Sequence, residues 1–347
     1  MMMKAVVTTG DGKVALHTVP KPRPRPSQVL VRIYAAAQNP PDHMKITFRT
    51  TEGVISGHDF AGRVEEIGAE VPAGIRFVGE RVAGFLNGGV DEETGGSFAE
   101  YCLADPYLLI SLPDSLAYED AAGLGLAAFT AAQTLWISQP GLPTPDAPAA
   151  TAFPILVWAG ASGVGQYTVQ LAKLSGLRVI TTASPKNHEF LKALGADAVF
   201  DYRDPEVISK IRACKDDPIT HAVDCISDAT TTKQVTECMG PGGGAMALVL
   251  DQPVEAPDVQ VRFDLVYTLL GKAFEHPMPY AANPEHYEFG KVVAQLLTRL
   301  LRERKLKTTP LKLVPNGLED VRDWLEYMKQ GKVSGEKITY RVVEATV

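Results

Sequence analysis

The 347 residues are 45% hydrophobic and 22% charged, an ordinary balance for a globular enzyme and enough chain for two cores. A formal net charge of -7 excludes a general nucleic-acid or anionic-membrane binder, because neither field attracts an acidic surface. No apolar run reaches membrane-spanning length, and Met1-Met2-Met3-Lys4-Ala5-Val6-Val7 leads into a strand rather than a signal-peptide core, so the cytosol is the expected compartment.

Residues 1 to about 125 are β-rich: short branched runs over 29–34 and 78–83 are punctuated by glycine and proline. A proline-dense stretch, 139–148, follows and reads as a surface loop bordering the next sheet. From Ile155 the pattern changes. Strand runs at 155–158, 178–183, 198–201, 221–226 and 245–250 alternate with helical stretches, including one over 206–214. That alternation predicts parallel βαβ units and a doubly wound sheet. Residues 285–304 and 317–330 read as helices and 337–343 as a closing strand. The expected architecture is α/β: a β-rich domain over 1–127 and 283–347, interrupted by a Rossmann domain over 128–282. The cleft between such domains is the expected active site.

Trp158-Ala-Gly-Ala-Ser-Gly-Val-Gly165 follows a predicted strand and opens a predicted helix. In that context a short glycine motif signals a dinucleotide site. Gly160, Ala161, Ser162, Gly163, Val164 and Gly165 let the backbone turn tightly and bring amide N–H groups and the helix dipole to a pyrophosphate. An NAD site should carry a carboxylate at the end of the second strand. Here stand Ser184, Pro185, Lys186 and Asn187. A hydroxyl, a cation and an amide suit the 2′-phosphate of NADPH, and Ser184 with Pro185 equally suits a helix N-cap. Tyr202 reads either as a stacking partner for adenine or as a core tyrosine. Cys102, Cys214, Cys225 and Cys238 form no CxxC pair and read as buried, reduced thiols.

The sequence resembles the medium-chain dehydrogenase/reductase superfamily over nearly its whole length. Gly57-His-Asp-Phe-Ala-Gly62, Ile67-Gly68 and a mid-chain Rossmann turn carry that resemblance. Within the superfamily it looks like the zinc-free quinone-reductase branch, and within that branch like the lovastatin-type trans-acting enoyl reductases of fungal polyketide synthases. Asn39-Pro40-Pro41-Asp42, 171–176, 183–187, Phe200-Asp-Tyr-Arg203 and Gly331-Lys-Val-Ser-Gly-Glu-Lys337 carry the closer match.

The resemblance implies a GroES-like catalytic domain joined to a Rossmann domain, and NADPH bound also by Pro41, Asp42, Leu250, Ser334 and Gly335. It implies no metal: His58 matches the histidine of the superfamily's catalytic zinc, Asn39 stands at the cysteine, and one ligand does not hold zinc. His58 then reads as packed or hydrogen-bonded. Without a Lewis acid, reduction of an activated C=C is the supported chemistry, with hydride from the cofactor and a proton from an acid. Family members often carry that lysine two residues after the motif aspartate, where this chain has Met44. Lys45, His43 or water is then the proton source, and Lys45 also reads as a solvated surface lysine. Thr130 matches a threonine near the nicotinamide and also suits a helix cap. Met44, Ala131, Gly271, Lys272, Ala273, Phe274 and Glu275 match positions that border the substrate. The implied partner is an acyl-carrier-bound enoyl chain on a polyketide synthase. A quinone or enone reductase, or a relative turned to non-redox cyclisation or binding, stays open.

Overall fold

The computed structural model describes residues 1–48, 51–90, 95–214, 217–276 and 278–343. Contacts divide the chain into Met1–Leu126 with Tyr267–Val347, and Ala127–Val266. Residues 267–282, placed by the sequence reading in the Rossmann half, group by contact with the first unit.

The first unit is built on a seven-stranded sheet among the described residues. Its strands run Leu311–Val314, Lys337–Arg341, Val29–Ala37, Asp59–Ile67, Arg81–Phe85 and Ile110–Ser111, and Tyr101–Ala104 pairs with Val29–Ala37 off this path. Val31, Ile33, Phe60, Val64, Val82, Phe98 and Tyr340 form one buried cluster on it, and removal of that apolar area from water is the main driving force for this half. A smaller sheet orders Val14–Pro20, Met2–Thr9 and Glu52–Ile55. The predicted strand at 78–83 lies later, over Arg81–Phe85, because Gly79 takes a positive φ of 91° and turns the chain.

The second unit carries six parallel strands: β1 Pro154–Trp158, β2 Arg178–Thr182, β3 Ala198–Phe200, β4 His221–Asp224, β5 Gly244–Leu248 and β6 Val259–Phe263. Their order is 3-2-1-4-5-6, the doubly wound arrangement that places a ligand crevice at the carboxyl ends of the strands. The strands predicted at 155–250 appear within two residues of their expected bounds. β6 is an addition: Val-Gln-Val-Arg-Phe alternates like a half-exposed edge strand and lacks the continuous apolar run of its neighbours.

The helix read at 285–304 spans Pro284–Arg302, capped by Asn283, whose side chain accepts from the His286 amide at 3.1 Å. The one read at 317–330 is a 3-10 turn, Gly317–Asp320, followed by an α-helix, Val321–Lys329. The proline-dense stretch is not wholly at the surface: Gln139 and Leu142 are buried, and Trp136 Nε1 donates to the Pro143 carbonyl at 2.9 Å.

Candidate active site

Two groups of chemistry-bearing residues emerge, one in each unit. In the second unit, β1 ends at Trp158 and the helix Gly163–Leu174 begins five residues later. Ser162 is its N-cap, and the hydroxyl accepts from the Gly165 amide at 3.0 Å. A Cβ on Gly165 would lie 2.4 Å from the Ala159 carbonyl oxygen, and one on Gly160 would lie 2.1 Å from Thr181 Oγ1. Both positions therefore exclude side chains for packing reasons, and the turn presents backbone rather than bulk. Cys225, just beyond β4, hydrogen-bonds toward Thr168 and Ser162, and burial pushes its thiol well above the usual range. Cys102 and Cys238 are buried as expected, whereas Cys214 is half-buried.

Beyond β2, Ser184 precedes a 3-10 turn, Pro185–Asn187, as an N-cap by position but with no side-chain capping bond. Lys186 is exposed, and Ser184 and Asn187 are half-exposed. Hydroxyl, ammonium and carboxamide thus stand together at the carboxyl edge of the sheet. Tyr202 is 43% exposed, which overturns its reading as a core residue; the Arg203 guanidinium lies 5.4 Å from its ring centre. At the same edge Leu250 is 42% exposed beyond β5, and Ile226 is 40% exposed beyond β4. Ile226 was not singled out from sequence, although its position after an apolar strand matches that of Leu250. These residues fit a dinucleotide: an amide-lined turn for phosphates, polar groups at the end of β2, and apolar side chains along the edge.

In the first unit the helix Pro40–Phe48 starts from Asn39. Pro40 and Pro41 occupy the first turn, where no N–H is needed. Asp42 then reaches back: its Oδ2 accepts from the Asn39 amide at 2.6 Å, the carboxylate half of a capping box. Its Oδ1 meets Nδ1 of His58. Three residues along, on the same helix face, Lys45 Nζ lies 3.0 Å from His58 Nε2 and 2.5 Å from Asn87 Oδ1. The Tyr267 ring centre is 3.7 Å from that Nζ, within range of a cation–π contact.

Lys45 is 5% exposed, so its reading as a solvated lysine is overturned. Met44, one step round the helix, is 37% exposed. His58 is fully buried, and that burial holds its pKa below the ordinary value despite Asp42. Gly57 aims it: φ is 97°, and a Cβ there would lie 2.5 Å from the Phe98 amide nitrogen. The Leu86 amide donates to the His58 carbonyl at 2.8 Å and brings Asn87 alongside.

A second buried network adjoins the first. Asp59 accepts from Asn39 Nδ2 at 2.8 Å and from the Leu126 amide at 2.6 Å. Lys337 Nζ lies 3.1 Å from Asp59 and donates to Asn39 Oδ1 at 2.5 Å. The last lysine of the Gly331–Lys337 motif is thus an internal ion pair that ties the closing strand to its neighbours. Ser334 is exposed and Gly335 takes a φ of 75° in the turn before it.

The remaining candidates lie elsewhere. His43 is half-buried with its pKa lowered by burial, and the charges acting on it include Lys329 and Glu326 of the helix Val321–Lys329. Thr130 is half-buried in the middle of the helix Gly125–Trp136, which overturns its reading as an N-terminal cap, and Ala131 is buried beside it. Gly271 takes a φ of 69°, and Lys272, Ala273 and Glu275 are exposed. Phe274 stacks on Tyr280 with ring centres 5.0 Å apart and meets Tyr267 edge-on at 6.0 Å. An aromatic series therefore runs from Lys45 through Tyr267 and Phe274 to Tyr280.

The donor set does not suit zinc. The ring nitrogen of His58 that could face a metal is in hydrogen-bond contact with Lys45 Nζ, and both ends of the Asn39 amide serve Asp59 and Lys337. Among the described residues no group of three His, Cys, Asp or Glu could hold a metal ion, and no helix is long and apolar enough to cross a membrane.

Residues 25–114 match the alcohol dehydrogenase GroES-like domain, and residues 163–266 match the zinc-binding dehydrogenase family. The chain is 37% identical to the trans-enoyl reductase ACTTS2 of Alternaria alternata over 98% of both chains. It is 33% identical to the trans-enoyl reductase caaB of Aspergillus niger, over 97% of this chain and 96% of that one. Its fold resembles the quinone oxidoreductase of Coxiella burnetii, with a TM-score of 0.76, 25% identity, and coverage of 99% and 100%. It also resembles the CurK enoyl reductase, with a TM-score of 0.77, 18% identity, and coverage of 97% and 98%. With its GroES-like unit, its 3-2-1-4-5-6 Rossmann sheet and these full-length relatives, the chain belongs to the trans-enoyl reductase family of the medium-chain dehydrogenase/reductase superfamily.

Proposed function

We propose that the chain is an NADPH-dependent enoyl reductase that acts in trans on an α,β-unsaturated acyl thioester held by the carrier of a polyketide synthase. The observation that carries this reading is the buried Lys45: an amine held in a fixed place by His58, Asn87 and Tyr267, in a chain whose other half has a glycine turn at a helix N-terminus. When bound, the nicotinamide supplies the hydride for the β-carbon of the substrate. The enolate that results needs a hydrogen-bond donor at its oxygen and a proton at its α-carbon. Lys45 supplies the proton and regains it from solvent after product release. Thr130 offers a hydroxyl to the carboxamide or the thioester oxygen. Tyr267 and Phe274 supply apolar faces that suit an acyl chain. The amides of the Gly160–Gly165 turn would hold the diphosphate, and Ser184, Lys186 and Asn187 would hold the 2′-phosphate.

The test is oxidation of NADPH in the presence of an enoyl-pantetheine thioester. Turnover with the thioester and none with simple quinones is the expected result. Quinone turnover alone would reassign the chain to quinone reduction, and stoichiometric NADPH binding without oxidation by either substrate would point to a non-redox role. For the cofactor, Lys186→Ala is expected to weaken NADPH binding about tenfold, in line with the loss of one charge-assisted phosphate contact, and to leave NADH unchanged. Equal losses for the two, measured by fluorescence titration, would remove the 2′-phosphate assignment.

A further inference from the structure

We propose that Asp42 and His58 are positioning residues that act through Lys45: Asp42 fixes the tautomer of His58, and His58 in turn holds Lys45 as a donor. The inference rests on Lys45 being the acid. Its geometry is independent of that reading.

The direction of each hydrogen bond follows from its neighbours. A carboxylate only accepts. Asp42 Oδ2 takes the Asn39 amide at 2.6 Å, and Oδ1 takes the His58 ring at Nδ1. Nδ1 must therefore carry the proton. His58 is fully buried and desolvation favours its neutral form, so Nε2 keeps its lone pair and accepts from Lys45 at 3.0 Å. Asn87 Oδ1 accepts a second Lys45 N–H at 2.5 Å, and the Tyr267 ring covers the amine at 3.7 Å. The charged or titratable groups acting on His58 are Asp42 and Lys45 from the helix and Asp59 from the adjoining strand, with the Tyr267 ring 5.6 Å away. An imidazole whose far nitrogen is tied to a carboxylate is oriented as firmly as a ligand to a metal. Here the group it orients is an amine.

Asp42→Asn tests this with almost no change in volume. The new amide oxygen must still accept from the Asn39 N–H, so its NH2 faces His58 Nδ1. That nitrogen then has to accept, the ring proton moves to Nε2, and Nε2 meets Lys45 donor to donor. A tautomer inversion of this kind costs a catalytic histidine several orders of magnitude in the serine proteases. Asp42→Asn is expected to lower kcat for enoyl-thioester reduction on the order of 100-fold, within the range of general acid catalysis; the NADPH dissociation constant stays within about twofold, because Asp42, expected from the resemblance to bind cofactor, is buried with both oxygens engaged by Asn39 and His58.

Nitrogen-15 spectra of the imidazole should report Nδ1–H in the native protein and Nε2–H in the variant. In a Lys45→Met background, Asp42→Asn should cost nothing further, because a positioning residue has nothing left to position. A wild-type kcat in Asp42→Asn, an unchanged tautomer, or an equal loss in both backgrounds would overturn the proposal and leave the acid reading intact. A wild-type rate in Lys45→Met alone would remove both.

Should Asp42→Asn fail to fold, the pair His58→Gln and His58→Leu serves the same purpose. Glutamine can donate to Asp42 and accept from Lys45, so it should retain kcat within about tenfold, whereas leucine should show the full general-acid loss. Equal rates for these two variants would also overturn the assignment.

Discussion

Lys45→Met is expected to lower kcat for thioester reduction by about 100-fold or more, the share that a positioned acid contributes, with NADPH affinity unchanged. Methionine matches the length of the lysine stem, with sulfur in place of Cδ, and removes the amine. The loss therefore reports the proton donor rather than a cavity. His58 Nε2 and Asn87 Oδ1 both lose a partner. Stability should fall by about 1–3 kcal/mol for a buried acceptor left unpaired, visible as a lower Tm in a thermal melt. Moving the amine back one step, as Lys45→Met with Met44→Lys, should not restore the rate: successive residues point about 100° apart on a helix, and position 44 is the exposed one. A full rate in Lys45→Met, or rescue by lysine at 44, would show that the buried amine is not the acid.

Ser162→Asp should weaken NADPH binding by tenfold or more and leave the apo protein as stable as before. Serine and aspartate cap helices about equally well, so the bond now made to the Gly165 amide at 3.0 Å has a replacement. On the proposed function, the added carboxylate would face the diphosphate of the cofactor. Two like charges about 4 Å apart repel by about 4 kcal/mol at the effective dielectric of a protein surface, and ionic screening reduces that figure. Ser162→Ala separates the two effects: it removes the cap, at about 1 kcal/mol, and adds no charge. A titration in which Ser162→Asp binds NADPH like the native chain would remove the diphosphate from this turn.

The glycine turn and the parallel sheet of the second unit were legible in the sequence because their determinants are local. Gly160 and Gly165 are glycines for want of space beside Thr181 and Ala159, Ser162 caps the helix it precedes, and the parallel strands β1 to β5 announce themselves as apolar or branched runs. The edge strand β6 escaped because an edge needs burial on one face only. Tyr202 and Thr130 show the limit of residue-type reasoning: a tyrosine after a strand and a threonine in an alanine-rich stretch each fit two environments, and neighbours distant in sequence choose between them.

The surroundings of Lys45 show the same limit more sharply. The i, i+3 spacing of Asp42 and Lys45 was present in the sequence, and with a helix over Pro40–Phe48 it puts both on one face. What that face meets was not. His58, Asn87 and Tyr267 lie 13, 42 and 222 residues beyond Lys45, just before the strand Asp59–Ile67, in the segment after its partner strand, and in a turn after the Rossmann insertion. The sequence by itself determined the two-domain plan, the glycine turn that opens the helix Gly163–Leu174 and the poverty of metal ligands around His58, since these depend on periodicity, short-range sterics and residue type. Only the tertiary structure decided that Lys45 is buried and partnered, because a charged side chain leaves water only where distant residues supply acceptors and an aromatic face together.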